Sequence, residues 1–180
     1  MEKWINREIV FKGRIFDVVG GDALLDNGRT ARREVVTHDG GIAIVPLLVE
    51  QRVLLIRQYR IAVDQLLLEL PAGRREGHEP PELRAALELE EETGYRAGRL
   101  QLLTTYFSSA GFTNEQMHIF LATELLEVGQ RLEPDERIEI VSLNIAEIPA
   151  MLEAGDIIDA KTIIGLRELL SRPELWKQAG

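Results

Sequence analysis

Three glutamates near the middle of the chain have the spacing of a cation site. Glu91 and Glu92 follow Glu88 by three and four residues. On an α-helix, residues three or four apart lie on the same face, and like charges there repel by about a few tenths of a kcal/mol per pair. Hard divalent cations such as Mg²⁺ prefer carboxylate oxygens and often bind substrate phosphates as well. The spacing therefore permits a metal site, and a solvated acidic face is the alternative.

The residues around these glutamates predict the helix that the site needs. They belong to the segment GRREGHEPPELRAALELEEETGYR, which runs from Gly73 to Arg96. Pro80 and Pro81 suit the first turn of a helix, where the amide donors are unpaired in any case. Gly94 suits the left-handed position just past the end of a helix. We expect the acidic helix to lie between them, directly after a glycine-containing loop.

The order of residues in this segment resembles the signature of the Nudix hydrolases. That signature reads Gly, five residues, Glu, seven residues, Arg-Glu, an aliphatic residue, any residue, Glu-Glu, any residue, Gly and an aliphatic residue. It fixes many positions over a short stretch, so the match is specific. Tyr95 takes the last apolar place. The residues in register are Gly73, Glu79, Glu88, Leu89, Glu91, Glu92 and Gly94.

One position departs from the signature, since Leu87 stands where the family has arginine. In the family this arginine pairs with nearby carboxylates and helps to hold the catalytic glutamate. Leucine removes that positive charge, which should loosen the carboxylate cluster and lower the activity without abolishing it. Arg84 could reach the same face of the helix from one turn earlier. Arg75, in the preceding loop, is the other possible substitute.

Segments outside the signature resemble one branch of the family, the ADP-ribose pyrophosphatases. They are RREVVTHDGGIAIVPL, VLLIRQYR, LELPAG, SAGFTNE and DAKTIIGL, so the resemblance extends from about Arg32 onward. It implies metal-dependent hydrolysis of ADP-ribose to AMP and ribose 5-phosphate. It also implies a homodimer in which the N-terminal strands of one subunit help to form the partner's site. The alternatives are a Nudix hydrolase that prefers FAD, NADH or another nucleotide sugar, and a non-catalytic nucleotide-sensing module.

The resemblance also assigns roles at the metal site. The carbonyl of Ala72 and the carboxylates of Glu88 and Glu92 would bind Mg²⁺, with Mn²⁺ as a possible substitute. Glu91 would be a shared ligand or would orient a water molecule. Glu115, in the segment SAGFTNE, would be the general base or the group that positions water; a solvated loop residue is the alternative. The expected catalytic residues are thus Glu91, Glu92 and Glu115.

Five further residues match positions that contact the substrate in this branch. Arg60 would bind a phosphate, because a guanidinium can donate two parallel hydrogen bonds to phosphate oxygens. Arg32 and Glu34 would meet the nucleotide from the partner subunit, and Glu34 could accept a hydrogen bond from an adenine amino group. Glu76 would lie near the metal and the phosphates. Gly111 would approach the ligand through its backbone.

The elements that must position these residues predict an α/β fold. Two strongly apolar segments that meet at Glu50 and Gln51 should be central strands, covered on both faces. The fold class that we expect is a Nudix-type mixed β-sheet sandwiched between helices, with an N-terminal antiparallel β extension. Residues 1–40 would form that extension and serve dimerisation and substrate contacts. Residues 41–180 would form the Nudix hydrolase domain, with two closing helices at 146–154 and 160–170.

Composition limits the partners and the compartment. A net charge of −9 disfavours nucleic acid and anionic membranes, both of which require clustered lysine and arginine. Cysteine is absent, which excludes a disulfide framework and thiol catalysis. The opening segment MEKWINREIVFKGR lacks the apolar core of a signal peptide, and no apolar run is long enough to span a bilayer. We therefore expect a cytoplasmic protein with a small-molecule substrate.

Overall fold

The structure is a computed structural model that describes residues 1–75, 77, 79–134 and 136–177. It divides into two compact units. The first unit comprises Met1–Gly40 together with Tyr106–Gln116, and the second comprises Gly41–Thr105 together with Met117–Gly180. The N-terminal part of the first unit ends at residue 40, and the unit also includes a segment from the middle of the chain.

The first unit is built on a three-stranded antiparallel sheet in the order β1-β2-β3. A hairpin turn joins the second strand to the third, and Gly28 adopts the positive φ of 80° that such a turn requires. Every residue of the first strand is exposed. The strands are β1 (Lys3–Lys12), β2 (Asp17–Leu24) and β3 (Thr30–Thr37).

The segment from the middle of the chain joins this unit through backbone hydrogen bonds to β3. The amide of Val36 donates to the carbonyl of Phe112 at 2.8 Å, and the amide of Asn114 donates to the carbonyl of Val36 at 3.3 Å. The Asn114 side chain accepts a further bond from the amide of His38 at 2.8 Å. These bonds pair residues far apart in sequence, so local patterns could not predict them.

The second unit contains a mixed sheet in the order β10-β5-β4-β9-β8, with β6 paired to β5 and β7 paired to β4. Strands β4 and β9 are parallel, whereas β5 is antiparallel to each of its three partners, β10, β4 and β6. The two strands predicted to be central are indeed central. The strands are β4 (Gly41–Leu48), β5 (Arg52–Arg60), β6 (Gln65–Glu69), β7 (Ala72–Arg74), β8 (Tyr95–Phe107), β9 (Gln116–Glu127) and β10 (Ile138–Asn144).

Helices cover both faces of this sheet. The helices are α1 (Pro81–Thr93), α2 (Ile148–Ala154) and α3 (Ala160–Leu170), with 3-10 turns at Ile145–Glu147 and Pro173–Leu175. Ile42 and Ile44 of β4 pack with Leu89 of α1, whereas Val45 approaches Gly165 of α3. Because neighbouring residues of a strand point to opposite faces, α1 and α3 lie on opposite sides of β4. None of the described helices could span a membrane.

One expectation about local structure was wrong. Ala72, Gly73 and Arg74 were expected in a loop but form the short strand β7, in which Ala72 pairs with Ala43 and Gly73 with Ile42. Pro71 precedes the strand, and its carbonyl accepts a hydrogen bond from Ile44 at 2.9 Å. Proline and glycine favour irregular backbone in isolation, but the edge offered by β4 supplies partners for the peptide groups.

Candidate active site

Helix α1 is fixed in place by its ends and by one apolar stripe. Pro81 occupies its first turn, and Gly94 ends it in the left-handed conformation with φ 73°. Ala85 and Leu89, four residues apart, are completely buried in the core against β4. This packing sets the rotation of the helix, and it turns the neighbouring stripe that carries Glu88 and Glu92 toward β7.

Glu92 is a buried carboxylate bound to the strand β7. Only 3% of its surface is exposed, and Oε2 accepts a 2.8 Å hydrogen bond from the amide of Ala72. Burial raises the pKa of Glu92 to about 8, although the hydrogen bond from Ala72 opposes the shift. The negative charges of Glu88 and Glu136 raise this pKa further. Such a group holds a charge poorly unless a cation is near.

Glu88 is the second buried carboxylate of the stripe. Its carboxylate forms an ion pair with Arg84, one turn earlier in α1. Burial raises the pKa of Glu88, and the positive charge of Arg84 counteracts that rise. A Cβ atom placed on Gly73 would lie only 1.7 Å from Oε1 of Glu88. Glycine is therefore required at position 73 so that the carboxylate can lie against the backbone of β7.

The buried carboxylates fit a hard divalent cation. Glu88 and Glu92 lie on one side of α1, Glu91 is half-buried on the same helix, and their oxygens are the ligand type that Mg²⁺ prefers. No three acidic or histidine side chains among the described residues already form a cation site. A cation would therefore need oxygens from water, backbone or substrate phosphates beside these side chains, which is common for Mg²⁺.

Arg60, the predicted phosphate ligand, ends β5 in a strong ion pair. Its Nε and Nη2 donate to the two carboxylate oxygens of Glu69 at 2.7 and 2.8 Å. Glu69 is only 1% exposed and also pairs with Lys161 of α3. Lys161 in turn lies 3.0 Å from Asp159, the residue that caps α3. Sequence analysis missed this network, which fixes the direction of the Arg60 guanidinium.

Glu115, the predicted water-positioning residue, belongs to the first unit. Its Oε1 lies 3.7 Å from Nδ1 of His38, and that nitrogen accepts a 2.9 Å hydrogen bond from the amide of Gly40. Because Nδ1 is an acceptor there, it has no proton to donate to Glu115. Both side chains line a cavity of about 280 Å³ whose walls include Phe16 and Phe112.

The other predicted substrate contacts in the first unit lie on its surface. Arg32 and Glu34 are exposed and alternate along β3, so they share one face of the sheet. Gly20 on β2 leaves room for the Arg32 side chain, since a Cβ atom there would lie 2.8 Å from Nη2. Gly111 is exposed, with open space where a side chain would stand. Glu76 lies outside the described residues.

Comparisons with known proteins agree with this geometry. The NUDIX domain pattern matches residues 37–164, which include α1, β7 and both buried carboxylates. The chain belongs to the NUDIX family.

Several known proteins resemble this NUDIX chain over nearly its whole length. An ADP-ribose pyrophosphatase of Bacillus subtilis (strain 168) is 36% identical over 179 residues, covering 98% of this chain and 97% of that protein. A methanol dehydrogenase activator of Bacillus methanolicus is 34% identical over 170 residues, covering 93% and 92%. A crystal structure of an ADP compounds hydrolase superposes with a TM-score of 0.87 at 24% identity, covering 96% of this chain and 94% of that one. At this identity the structural match concerns the fold.

One acidic residue of this NUDIX site was missed by sequence analysis. Glu136 lies in the connection between β9 and β10, and its negative charge raises the pKa of both Glu88 and Glu92. Its Oε2 accepts a 2.9 Å hydrogen bond from the amide of Glu133. No motif signals this residue, because it follows Glu92 at a long distance along the chain.

Proposed function

We propose that this NUDIX protein hydrolyses the pyrophosphate of ADP-ribose, or of a related nucleoside diphosphate derivative. With ADP-ribose, addition of one water molecule breaks a phosphorus–oxygen bond and gives AMP and ribose 5-phosphate. The observation that carries this proposal is the pair of buried carboxylates, Glu88 and Glu92, held beside β7 on the helix of the family signature. The likeness to the ADP-ribose pyrophosphatase of Bacillus subtilis supports the choice of substrate.

Hydrolases of the NUDIX family require a divalent metal. We infer that the metal here is Mg²⁺, with Mn²⁺ able to replace it, and that Glu88, Glu92 and the carbonyl of Ala72 hold it while Glu91 assists. When bound, a divalent cation neutralises pyrophosphate charge and makes a nearby water molecule more acidic. The Ala72 amide fixes one oxygen of Glu92, so the carboxylate keeps its orientation without the cation.

Two carboxylates are candidates for activating the attacking water. Glu115 was assigned this task from the sequence, and it lies beside His38. Glu136 acts electrostatically on Glu88 and Glu92, whose pKa values are raised mainly by burial and further by its charge. General base catalysis requires a carboxylate within reach of the water, directly or through one further water. Glu115 remains the proposed base, and Glu136 is the second candidate.

The positive groups of the site serve the substrate. Arg60 has its guanidinium fixed by Glu69, and such a preorganised donor stabilises the charge that develops on the phosphate oxygens. Arg32, Glu34 and Gly111 would contact the nucleotide. Glu76, which lies outside the described residues, is proposed as a further substrate contact from the resemblance alone.

We also infer a homodimer formed through the N-terminal strands. Strand β1 is exposed along its whole length, and Ile5, Ile9 and Phe11 are each more than half exposed. Apolar side chains in a row on an exposed strand are typical of a protein interface. Light scattering should give twice the monomer mass, and Ile9→Lys should shift it toward the monomer.

A cytoplasmic location is consistent with the absence of cysteine.

The function is tested by phosphate release from ADP-ribose. The reaction is coupled to a phosphatase that acts only on the products, with Mg²⁺ present and with EDTA added. FAD and GDP-mannose are run beside ADP-ribose at the same concentration. We expect turnover that requires Mg²⁺ and is fastest with ADP-ribose. Faster turnover of a comparator would correct the substrate within the same reaction class.

The same assay separates an enzyme from a nucleotide sensor. A sensor would bind ADP-ribose in calorimetry and would release no phosphate from any of the three substrates. The retention of both buried carboxylates weighs against this alternative, because burial disfavours the ionised form of Glu92 and a fold that has no use for a cation gains nothing from it. Binding without turnover would nevertheless overturn the proposed hydrolysis.

A further inference from the structure

The ion pair between Arg84 and Glu88 lies beside Leu87, the position that departs from the family signature. The two residues are one helical turn apart in α1, and Nη2 of Arg84 contacts Oε1 of Glu88. Both side chains are largely buried, with exposures of 23% for Arg84 and 8% for Glu88. Leu87, at the position of the missing arginine, is 41% exposed. The positive charge that pairs with Glu88 therefore lies on the preceding helical turn, whereas the family signature has it on the residue next to Glu88.

The pair constrains one oxygen of the Glu88 carboxylate from two sides. Oε1 lies over Gly73, where even a Cβ atom would clash at 1.7 Å, and the same oxygen is bound to Arg84. With Oε1 held between the backbone of β7 and the guanidinium, rotation of the carboxylate is restricted. The direction of Oε2 is then fixed as well.

A second ion pair, between Glu90 of α1 and Arg96 of β8, provides a contrast. The two side chains lie 2.8 Å apart, but 60% of the Arg96 side chain is exposed and Glu90 is not among the buried residues of α1. Pairs with such an exposed arginine are screened by water and fix geometry weakly. Arg84 differs because its partner is buried and belongs to the proposed metal ligands.

We infer that Arg84 is a positioning residue that performs the task of the arginine missing at position 87, by holding Glu88 in the orientation that binds the cation. This inference rests on the proposed function for its kinetic consequence. Its consequence for cation binding is independent of the substrate. Outer residues that orient a metal ligand typically change metal affinity or activity by about 10-fold to 100-fold when they are removed.

The test compares four variants with the wild-type protein: Arg84→Gln, Arg84→Lys, the double variant Arg84→Gln with Leu87→Arg, and the control Arg96→Gln. Calorimetry with Mn²⁺ and no substrate measures cation affinity. We expect Arg84→Gln to weaken Mn²⁺ binding by about 10-fold or more and to lower kcat for ADP-ribose with a smaller change in KM. Arg84→Lys should retain part of both, since an ammonium group can still reach Glu88.

The double variant distinguishes a positioning role of Arg84 from a general contribution of Arg84 to stability. If Arg84 replaces the missing arginine, adding Leu87→Arg to Arg84→Gln should recover most of the Mn²⁺ affinity and of kcat. Arg96→Gln should change neither. Thermal unfolding in EDTA checks that each variant is folded. If Arg84→Gln does not fold, the Mn²⁺ affinity and kcat of Arg84→Lys test the positioning role instead.

Several results would overturn the inference. Unchanged or tighter Mn²⁺ binding in Arg84→Gln would mean that the arginine does not orient Glu88 for a cation. A loss that Leu87→Arg does not reduce would assign Arg84 a role in stability alone. Absence of ADP-ribose turnover in the wild-type protein would overturn the proposed function instead, and the Mn²⁺ affinities would still decide the role of Arg84.

Discussion

The amide of Ala72 donates a 2.8 Å hydrogen bond to Oε2 of Glu92, which joins β7 to α1 at the more deeply buried of the two carboxylates Glu88 and Glu92. The bond holds the carboxylate in place but does not offset the cost of burying its charge, since the pKa of Glu92 is raised to about 8. The site is therefore ordered before any cation arrives, at a cost in stability that a cation can remove.

This cost predicts how the metal-free protein responds to pH. The pKa of Glu92 is about 8 in the folded protein against an ordinary value of 4.5. Between these two pH values the folded state therefore retains a proton on Glu92 that the unfolded state has lost. The contribution of Glu92 to stability is fully present below the lower value and is lost as pH rises through the higher one. Its size is on the order of a few kcal/mol.

Glu92→Gln should remove this pH dependence. The variant cannot ionise, so in EDTA its free energy of unfolding should exceed that of the wild type at about pH 9 and lie close to it at about pH 5. Urea denaturation at the two pH values measures the difference. Turnover of ADP-ribose should fall by roughly 100-fold or more, because a proposed metal ligand is lost. Equal pH slopes for the two proteins would contradict the burial argument.

Gly73→Ala should displace Glu88. The added Cβ atom would lie 1.7 Å from Oε1, so the carboxylate must move away from β7. We expect a destabilisation of about 1–3 kcal/mol together with at least a roughly 10-fold loss of kcat. Gly129→Ala is the control, because the position has φ 92° and no neighbouring atom within 4 Å. It should lower stability through backbone strain and leave kcat unchanged; similar kinetics in both variants would refute the prediction.

Glu69→Gln should disrupt the support of Arg60. Removing one partner of a buried ion pair typically costs about 3–5 kcal/mol. The loss here should lie near the lower end of that range, because Lys161 is largely buried but 38% of the Arg60 side chain is exposed. We expect that loss in urea denaturation and an increase in KM for ADP-ribose, since Arg60 is no longer fixed. The control is Glu139→Gln, which breaks the exposed ion pair between Glu139 of β10 and Arg57, a residue on the same strand as Arg60. It should cost about 1 kcal/mol or less. A KM equal to that of the wild type would count against a phosphate-binding role for Arg60.

The two candidate bases can be separated by matched substitutions. Glu115→Gln should lower kcat by about 100-fold or more, since general base catalysis contributes about 10²–10⁴-fold. Glu136→Gln should have a smaller effect, because Glu136 acts on the proposed ligands Glu88 and Glu92 only through its charge. Stopped assays with ADP-ribose across pH measure both. A larger loss in Glu136→Gln would transfer the role of general base to Glu136.

Leu87→Arg should raise turnover of the wild-type protein by a modest factor. Leu87 is 41% exposed, so the substitution removes little packing and adds a positive charge beside Glu88. Because Arg84 already contacts Glu88, the gain should be smaller than in the Arg84→Gln background, which a double-mutant cycle measures. Leu83→Arg, at an exposed position one turn earlier, controls for added charge. An unchanged or lower kcat in Leu87→Arg would refute this reading of the position.

Much of the site could be predicted because it depends on local spacing. The helical period alone places Glu88, Glu91 and Glu92 on one face, and the proline and glycine at the two ends determine where α1 begins and ends. The apolar runs of β4 and β5 likewise predict central strands. Each of these features follows from residues within a few positions of one another.

The features that could not be predicted depend on residues far apart in sequence. Lys161 donates a hydrogen bond to Glu69, which lies 92 positions away in the sequence. Glu136, in the connection that follows β9, adds to the rise in the pKa of Glu92 through its negative charge. The choice between Arg84 and Arg75 as the partner of Glu88 was open in the sequence. The fold decided it, because Arg75 donates instead to the carbonyl of Glu79.

Local sequence is enough to predict that a carboxylate-bearing helix with NUDIX spacing follows a glycine. The packing of distant segments is needed to place Gly73 in a strand and to bury the carboxylates beside it. The difference arises because helical periodicity and capping are local properties of the backbone. Burial, and with it the raised pKa of Glu92, exists only after α1 has packed on the edge that β4 and β7 form together.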